Sequence, residues 1–185
     1  KRQVLKYLYE IWQNPCRGWN KSGSIVFPVK QGEIFKTRSF ICMDSQTLIA
    51  ATAAFVQSTL EQAEGGHDWF HTYRVWRNAQ HIAAGEAVDP LIVDLAALLH
   101  DIADSKFNDG DEEVGPRTAR IFLEQRGLDN EHIQHVENII RNISFKGGKQ
   151  ERTFHSRELD VVQDADRLDA IGAIGIARAF NYGGF

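Results

Sequence analysis

The sequence is poor in sulfur, in long apolar runs and in positive charge. Its 185 residues hold two cysteines, Cys16 and Cys42, and a single methionine, Met43. Two cysteines cannot build a disulfide scaffold, so a reducing cytosol is the natural compartment and a cytoplasmic location is expected. No stretch of about 18 apolar residues occurs, which excludes an α-helical membrane span. Twenty-one Lys and Arg against 25 Asp and Glu leave a net charge of −4. A dedicated nucleic-acid or membrane-surface binder would carry a basic excess instead. There is no internal repeat and no low-complexity run. What remains is ordinary globular material, 43% apolar and 25% charged, long enough for one domain with a sizeable core.

The charge is unevenly divided along the chain. Residues 1–42 carry eight basic side chains (Lys1, Arg2, Lys6, Arg17, Lys21, Lys30, Lys36, Arg38) and two acidic ones (Glu10, Glu33), a net of +6. The other 13 basic and 23 acidic residues give 43–185 a net of −10. Residues 1–42 also lack a sustained helical period and show two short strand-like runs, 24–29 and 34–41, among scattered Gly and Pro. Three readings compete for this irregular basic leader. It is a targeting segment, although it has no signal-peptide apolar core and is not Ser-rich. It is an arm that binds a partner. Or it precedes the true start of the protein and lies outside the native domain, a reading favoured by a lone Met at the head of a well-formed helix signal.

From Met43 onward every periodic signal is helical, which predicts an all-α domain over 43–185. Asp44 or Ser45 caps a helix carrying Leu48, Ile49, Ala53, Phe55, Val56 and Leu60, ended by Gly65-Gly66. Asp68 opens a second helix with Trp69, Tyr73, Trp76, Ala79 and Ile82 on its apolar side. Asp89-Pro90 places an N-cap before a first-turn proline. The helix it starts is apolar on nearly every side, as expected of a helix at the centre of a fold. A fourth helix runs from about Glu113 to Arg126 and stops at Gly127. A fifth follows Asp129-Asn130, with Ile133, Val136, Ile139, Ile140 and Ile143 facing inward. Ser156 begins the last, expected as one helix from about Arg157 to Phe180 with apolar residues around its axis.

Buried apolar helices do not carry charge without compensation, because an unpaired interior carboxylate costs several kcal/mol. The central helix nevertheless ends in Leu98-Leu99-His100-Asp101-Ile102-Ala103-Asp104, and the last contains Asp164, Asp166 and Asp169. A divalent cation held between them is the economical explanation. The second helix adds His67, His71, Arg74, Asn78 and His81 on one stripe, so His71 and Arg74 could enter the same cleft, one toward a metal and one toward an anionic substrate. On a continuous helix Asp164 lies about 200° from Asp166, whereas Asp169 lies about 60° away, so Asp164 and Asp166 cannot both reach one ion.

The run His71-Thr72-Tyr73-Arg74-Val75, then His100-Asp101, then Asp166 closely resembles the HD-domain metal-dependent phosphohydrolases. The resemblance covers about residues 45–185. It extends to Gly66-His67-Asp68-Trp69, to Ile143-Ser144-Phe145-Lys146-Gly147 and to the run from Asp164 to Gly172. These segments look like one branch of small cytosolic HD proteins acting on nucleotides, among them a nucleotide pyrophosphohydrolase. A bare His-Asp pair is worthless as a signal, but the ordered set across three helices is specific. The resemblance implies an all-helical bundle and metal ligands at His71, His100, Asp101 and Asp166. It makes Asp169 a neighbour that orients Asp166 or contacts substrate, and puts Asp104 where related enzymes carry an acidic residue near the attacking water.

Two His and two carboxylates with open positions suit Mn²⁺ first, with Co²⁺, Fe²⁺, Ni²⁺ or Mg²⁺ as alternatives, better than a closed structural zinc. The expected reaction is hydrolysis of a phosphoester or phosphoanhydride of a small nucleotide, foremost a nucleoside triphosphate to monophosphate and pyrophosphate. Asp104 and Arg74 would serve catalysis, and Arg74, Lys106, Lys146 and Asp169 would meet the substrate. The competing readings are a two-metal HD phosphodiesterase or oxygenase, which needs His67, His132, His135 or His155 as further ligands, and a nucleotide-binding module without turnover. No membrane partner is expected, and a homo-oligomer is left open. His81, His132, His135 and His155 otherwise read as surface or partly buried residues, His67 as a cap, and Trp69, Tyr73, Trp76 and Phe145 as core. Family members continue past the position of Phe185, so the chain looks like a fragment at both ends.

Overall fold

The computed structural model describes residues 43–61, 68–103, 111–143 and 154–182. They form seven helices and no strand: α1 (Ser45–Thr59), α2 (Trp69–Ala83), α3 (Pro90–Leu99), α4 (Val114–Glu124), α5 (Asn130–Ile143), α6 (Arg157–Leu168) and α7 (Gly172–Tyr182). The basic leader with its two strand-like runs, Gly65-Gly66, His67, Asp104, Lys106, Phe145 and Lys146 lie outside the described residues.

Local capping chemistry sets the starts. Asp44 accepts from the backbone N–H of Thr47, Asp68 from that of His71, Asp89 from that of Leu91, and Ser156 from that of Leu159. Each satisfies an amide that the first helical turn leaves without a partner. Asp129 does the same for α5, accepting from Glu131 and His132.

Helix α3 is the central element. It packs against α1, α2, α5 and α6, and every residue from Ile92 to Leu99 is buried. Around it α2 pairs with α6, and α4 with α5. Ile133, Val136, Ile139, Ile140 and Ile143 all point inward from α5, as their spacing predicts. Leu48, Ile49, Val56 and Leu60 do so from α1, whose Phe55 stacks on Phe122 with ring centroids 4.2 Å apart.

Two expectations fail, and both failures concern the site. The buried stripe of α2 is His71, Thr72, Val75 and Ala79, not the aromatic side. Trp69 and Trp76 are half-buried, Tyr73 is exposed, and Tyr73 meets Trp69 at a tilt and Trp76 edge-on, with centroids 5.8 and 6.0 Å apart. A core-facing histidine displaces the aromatic face that hydrophobicity alone would have buried.

The last helix, moreover, is not continuous. After Leu168 the amides of Asp169, Ala170 and Ile171 each bond a carbonyl three residues back, tightening the turn, and Gly172 adopts φ 67°, in the left-handed region that a side chain disfavours. The chain then restarts as α7, and Gly175 presses against the corner: a Cβ there would lie 2.2 Å from the Ala170 carbonyl oxygen. The apolar residues Ile171, Ile174, Ile176 and Phe180, expected around a buried axis, are exposed. No described helix is long and apolar enough to cross a membrane.

Candidate metal centre

The sequence places a histidine in the first turn of α2 and another just past the end of α3, and the packing of these helices brings both imidazoles to one point. His71 follows the Asp68 cap and is buried; His100 is the C-cap of α3, also buried. Their ring centroids are 5.4 Å apart and the planes cross at 70°, so the rings meet edge-on instead of stacking.

The carboxylates complete the cluster. Asp101, in the turn after α3, sets Oδ2 at 3.3 Å from Nε2 of both His71 and His100. Asp166, on α6, sets Oδ1 at 3.4 Å from His71 Nε2 and 4.0 Å from His100 Nε2. Nε2 of both imidazoles and the Asp101 carboxylate thus face a common point, with Asp166 beside them. The imidazoles are sealed in the core, and the two carboxylates lie on the open side, with Asp101 24% and Asp166 35% exposed.

The spacing tests whether a cation fits. Ligand atoms bound about 2.1 Å from one ion, at tetrahedral or octahedral angles, lie roughly 3.0–3.4 Å from each other. Three of the four distances fall in that range, and the fourth corresponds to a wider angle at the same ion. The imidazole chemistry agrees. His100 Nδ1 lies 2.8 Å from the Ala97 carbonyl oxygen, which can only accept, so Nδ1 carries the proton and Nε2 presents its lone pair to the cluster. That Nε2 is buried and has no hydrogen-bond partner among the described residues. An orphaned buried acceptor between two carboxylates is what a bound divalent ion would satisfy. Without an ion, burial lowers the His100 pKa but the Asp101 and Asp166 carboxylates outweigh it, raising it to about 9.

Behind the cluster lies Asp169, the C-cap of α6. Its carboxylate is buried and takes Nε of Arg74 on Oδ1 at 2.6 Å, Nη2 of Arg74 on Oδ2 at 2.9 Å, and Nη1 of Arg178 on Oδ2 at 2.6 Å. The same Oδ2 is 2.7 Å from His71 Nδ1. Burial would raise the Asp169 pKa, but the hydrogen bonds from Arg74 and His71 lower it to about 2.

The structure therefore brings together His71, Arg74, His100, Asp101, Asp166 and Asp169. Asp164 points to solvent and pairs with Arg167 at 3.6 Å, on the face that helix geometry assigns it. Asn78 is half-buried, and His81 and His155 are exposed. His132 pairs with Asp129 and Asp89, and His135 with Ser156 and Glu158. Arg178, on α7, has no signal in the sequence: it reaches His71 across 107 residues, a closure that only the corner at 169–172 produces.

The HD domain profile matches residues 69–171, more than half of the chain. The chain belongs to the HD domain family. The protein YpgQ of Bacillus subtilis is 41% identical over 138 aligned residues, covering 70% of this chain and 63% of its own length. The chain thus spans under two thirds of that relative. The crystal structure of YpgQ in complex with ADP is 38% identical and superposes with a TM-score of 0.63, covering 77% of this chain and 68% of that one. An HD-superfamily hydrolase from Bacillus thuringiensis is 41% identical, with a TM-score of 0.61 over 76% of this chain and 66% of that one. The matched HD segment contains His71, the His100-Asp101 doublet and Asp166.

Proposed function

We propose that this HD protein is a cytoplasmic, divalent-metal-dependent phosphohydrolase that cleaves a nucleoside triphosphate to monophosphate and pyrophosphate. The observation that carries the reading is the convergence of His71, His100 and Asp101 on one point at ligand spacing, with the Asp166 carboxylate beside them. Two nitrogens and two carboxylate oxygens with an open side suit Mn²⁺, with Co²⁺, Fe²⁺, Ni²⁺ or Mg²⁺ as alternatives. The ion, when bound, supplies Lewis acidity to a phosphoryl oxygen and lowers the pKa of water. The nucleotide class is supported by the ADP found in the YpgQ crystal structure and by relatives named hydrolases.

The chain's own residues divide the remaining work. Asp101 and Asp166 hold the open, solvent-facing side, where a phosphate would approach. Arg74 is 35% exposed with part of its guanidinium committed to Asp169, and it offers positive charge at the rim against the substrate's negative charge. Asp104, three residues past Asp101 in sequence, takes the proton of the attacking water. Lys106 and Lys146 complete the phosphate contacts. His132 and His135, two of the four histidines on which the two-metal reading could draw, are instead engaged with Asp129, Asp89, Ser156 and Glu158.

The test is release of pyrophosphate and orthophosphate from a panel of nucleotides with Mn²⁺, Co²⁺, Mg²⁺ or chelator. Metal-dependent pyrophosphate release from triphosphates is expected, and His100→Ala should abolish both metal binding and turnover with helical circular dichroism intact. Orthophosphate from monophosphates would make the protein a nucleotidase. Turnover that survives in a metal-free His100→Ala variant would overturn the reading.

A further inference from the structure

The proposed ligands account for one face of the His71 ring, and its other nitrogen is engaged just as closely. His71 Nδ1 is 2.7 Å from Asp169 Oδ2, a shorter approach than His71 Nε2 makes to either carboxylate on the cluster side. Asp169 is 3% exposed, and three further hydrogen bonds from Arg74 and Arg178 fix its orientation. Such density of charge around a residue shielded from solvent, which meets the cluster only through the far nitrogen of His71, calls for a role.

We propose that Asp169 is the positioning residue of the metal centre, locking His71 into the tautomer and ring orientation that turn the Nε2 lone pair toward the cation, with Arg74 and Arg178 clamping that carboxylate from two helices. This rests on the metal-centre reading above.

The chemistry at Nδ1 decides the tautomer. Two groups approach this atom: the Asp169 oxygen, which only accepts, and Arg178 Nη1 at 2.9 Å, which only donates. Were Nδ1 to accept from Arg178, the ring proton would sit on Nε2 and block a metal there. At 2.6 Å from Asp169 Oδ2, Arg178 Nη1 already has a charged acceptor nearer than the imidazole, and without a proton Nδ1 would set its lone pair against that same carboxylate oxygen at 2.7 Å. A proton on Nδ1 makes that contact a hydrogen bond, and Oδ2 then accepts from His71 Nδ1, Arg178 Nη1 and Arg74 Nη2. Arg74, by binding both carboxylate oxygens in a fork, prevents Asp169 from rotating away. An aspartate aimed at the far nitrogen of a ligating histidine raises its basicity and fixes its ring, and loss of such a partner typically lowers metal affinity 10–100-fold.

The assignment also explains why Arg178 belongs to the site although α7 is otherwise an exposed apolar helix. It further separates Asp169 from substrate: both oxygens face cationic or imidazole N–H groups behind His71, and an anionic phosphate would gain nothing there.

The test uses the whole chain and two readouts. Long-range ¹H–¹⁵N correlation spectra of the metal-free protein, recorded where His71 is neutral, should show Nδ1 protonated; a ring protonated at Nε2 would overturn the proposal without any variant. Titration with Mn²⁺ alone should give one ion per chain, with affinity lowered about 10–100-fold in Asp169→Asn and several-fold in Arg178→Met. An Asp169→Asn variant that keeps its helical circular dichroism and binds Mn²⁺ like the parent would also overturn it. Failure of the parent itself to bind any divalent ion would sink the metal-centre reading instead, an outcome the tautomer measurement distinguishes. Should Asp169→Asn not fold, Arg178→Met, on a partly exposed residue, carries the affinity test: a several-fold loss supports the clamp, and parent-like binding overturns it.

Discussion

The indole N–H of Trp76 donates to Asp94 Oδ1 across 2.6 Å, tying α2 to the central helix. Asp94 is the one charged residue of α3, and Gln80 Nε2 reaches the same oxygen at 2.8 Å. Asp94→Ala leaves both donors without their acceptor at a mostly buried seam, and should cost about 1–3 kcal/mol. Urea denaturation checks this, and parent-like stability would mean that water replaces the carboxylate fully. Because α2 carries His71, the same variant should also loosen metal binding.

A second buried carboxylate holds α4 to α5. Glu137 is 4% exposed and receives both Arg120, through Nε at 3.0 Å and through Nη2, and Arg141 Nη2 at 3.4 Å. Removing one member of a buried ion pair costs about 3–5 kcal/mol, but these guanidiniums are a third exposed and can rehydrate, so Glu137→Ala should cost about 1–3 kcal/mol. The loss should change little with salt, unlike that of the exposed Arg117–Asp111 pair.

Binding of a divalent ion should stabilise the fold in proportion to its saturation. At one hundred times the dissociation constant the gain is about 2.7 kcal/mol. For a chain of this size that is roughly a 5–10 °C rise in melting temperature. Differential scanning with Mn²⁺ and with chelator measures it, and Asp101→Asn should remove most of the shift. A shift equal in parent and variant would place the ion elsewhere.

The start of α5 should respond to pH through His132. Its Nδ1 lies 2.6 Å from Asp129 Oδ2 and its Nε2 3.4 Å from Asp89 Oδ2. Burial lowers the imidazole pKa, and the two carboxylates outweigh that and raise it, while Asp129 is held below its ordinary value, its own burial outweighed by His132. A raised native pKa contributes stability that is complete below about 6.5 and fades as pH rises through the native value. Asp129 works in the opposite sense, contributing above about 3.8 and losing its contribution as pH falls through its lowered value. His132→Gln should therefore destabilise more near pH 5.5 than near pH 9, by less than about 1 kcal/mol, because the pair is a third exposed. An equal cost at both values would mean the pair contributes nothing.

Much of this was legible from residues a few positions apart. Asp68, Asp89-Pro90 and Ser156 announce their helices because capping is a local bargain between a side chain and amides two or three residues on. The centrality of α3 followed from its unbroken apolar surface. The buried face of α2 did not, because hydrophobicity favours Trp69, Tyr73 and Trp76 whereas packing turns His71 inward. The corner at Asp169–Gly172 was missed because the same Gly172 reads equally well as a helix interior or as a stop, and tight three-residue turns leave no compositional mark. Arg178 was beyond reach for that reason: on an unbroken helix it has no path to His71.

That corner has a consequence for motion. Asp166 and Asp169 are three residues apart, yet they flank opposite nitrogens of one imidazole, at 3.4 Å from Nε2 and 2.7 Å from Nδ1. A ring engaged at both ends cannot flip, so the conformational freedom that a ligand usually surrenders on binding was given up when the chain folded. Loading should then wait on no protein rearrangement and be timed by the ion shedding its own hydration water. Ni²⁺, slow to exchange water, should enter far more slowly than Mn²⁺ in stopped-flow mixing; equal rates would reveal a gating motion.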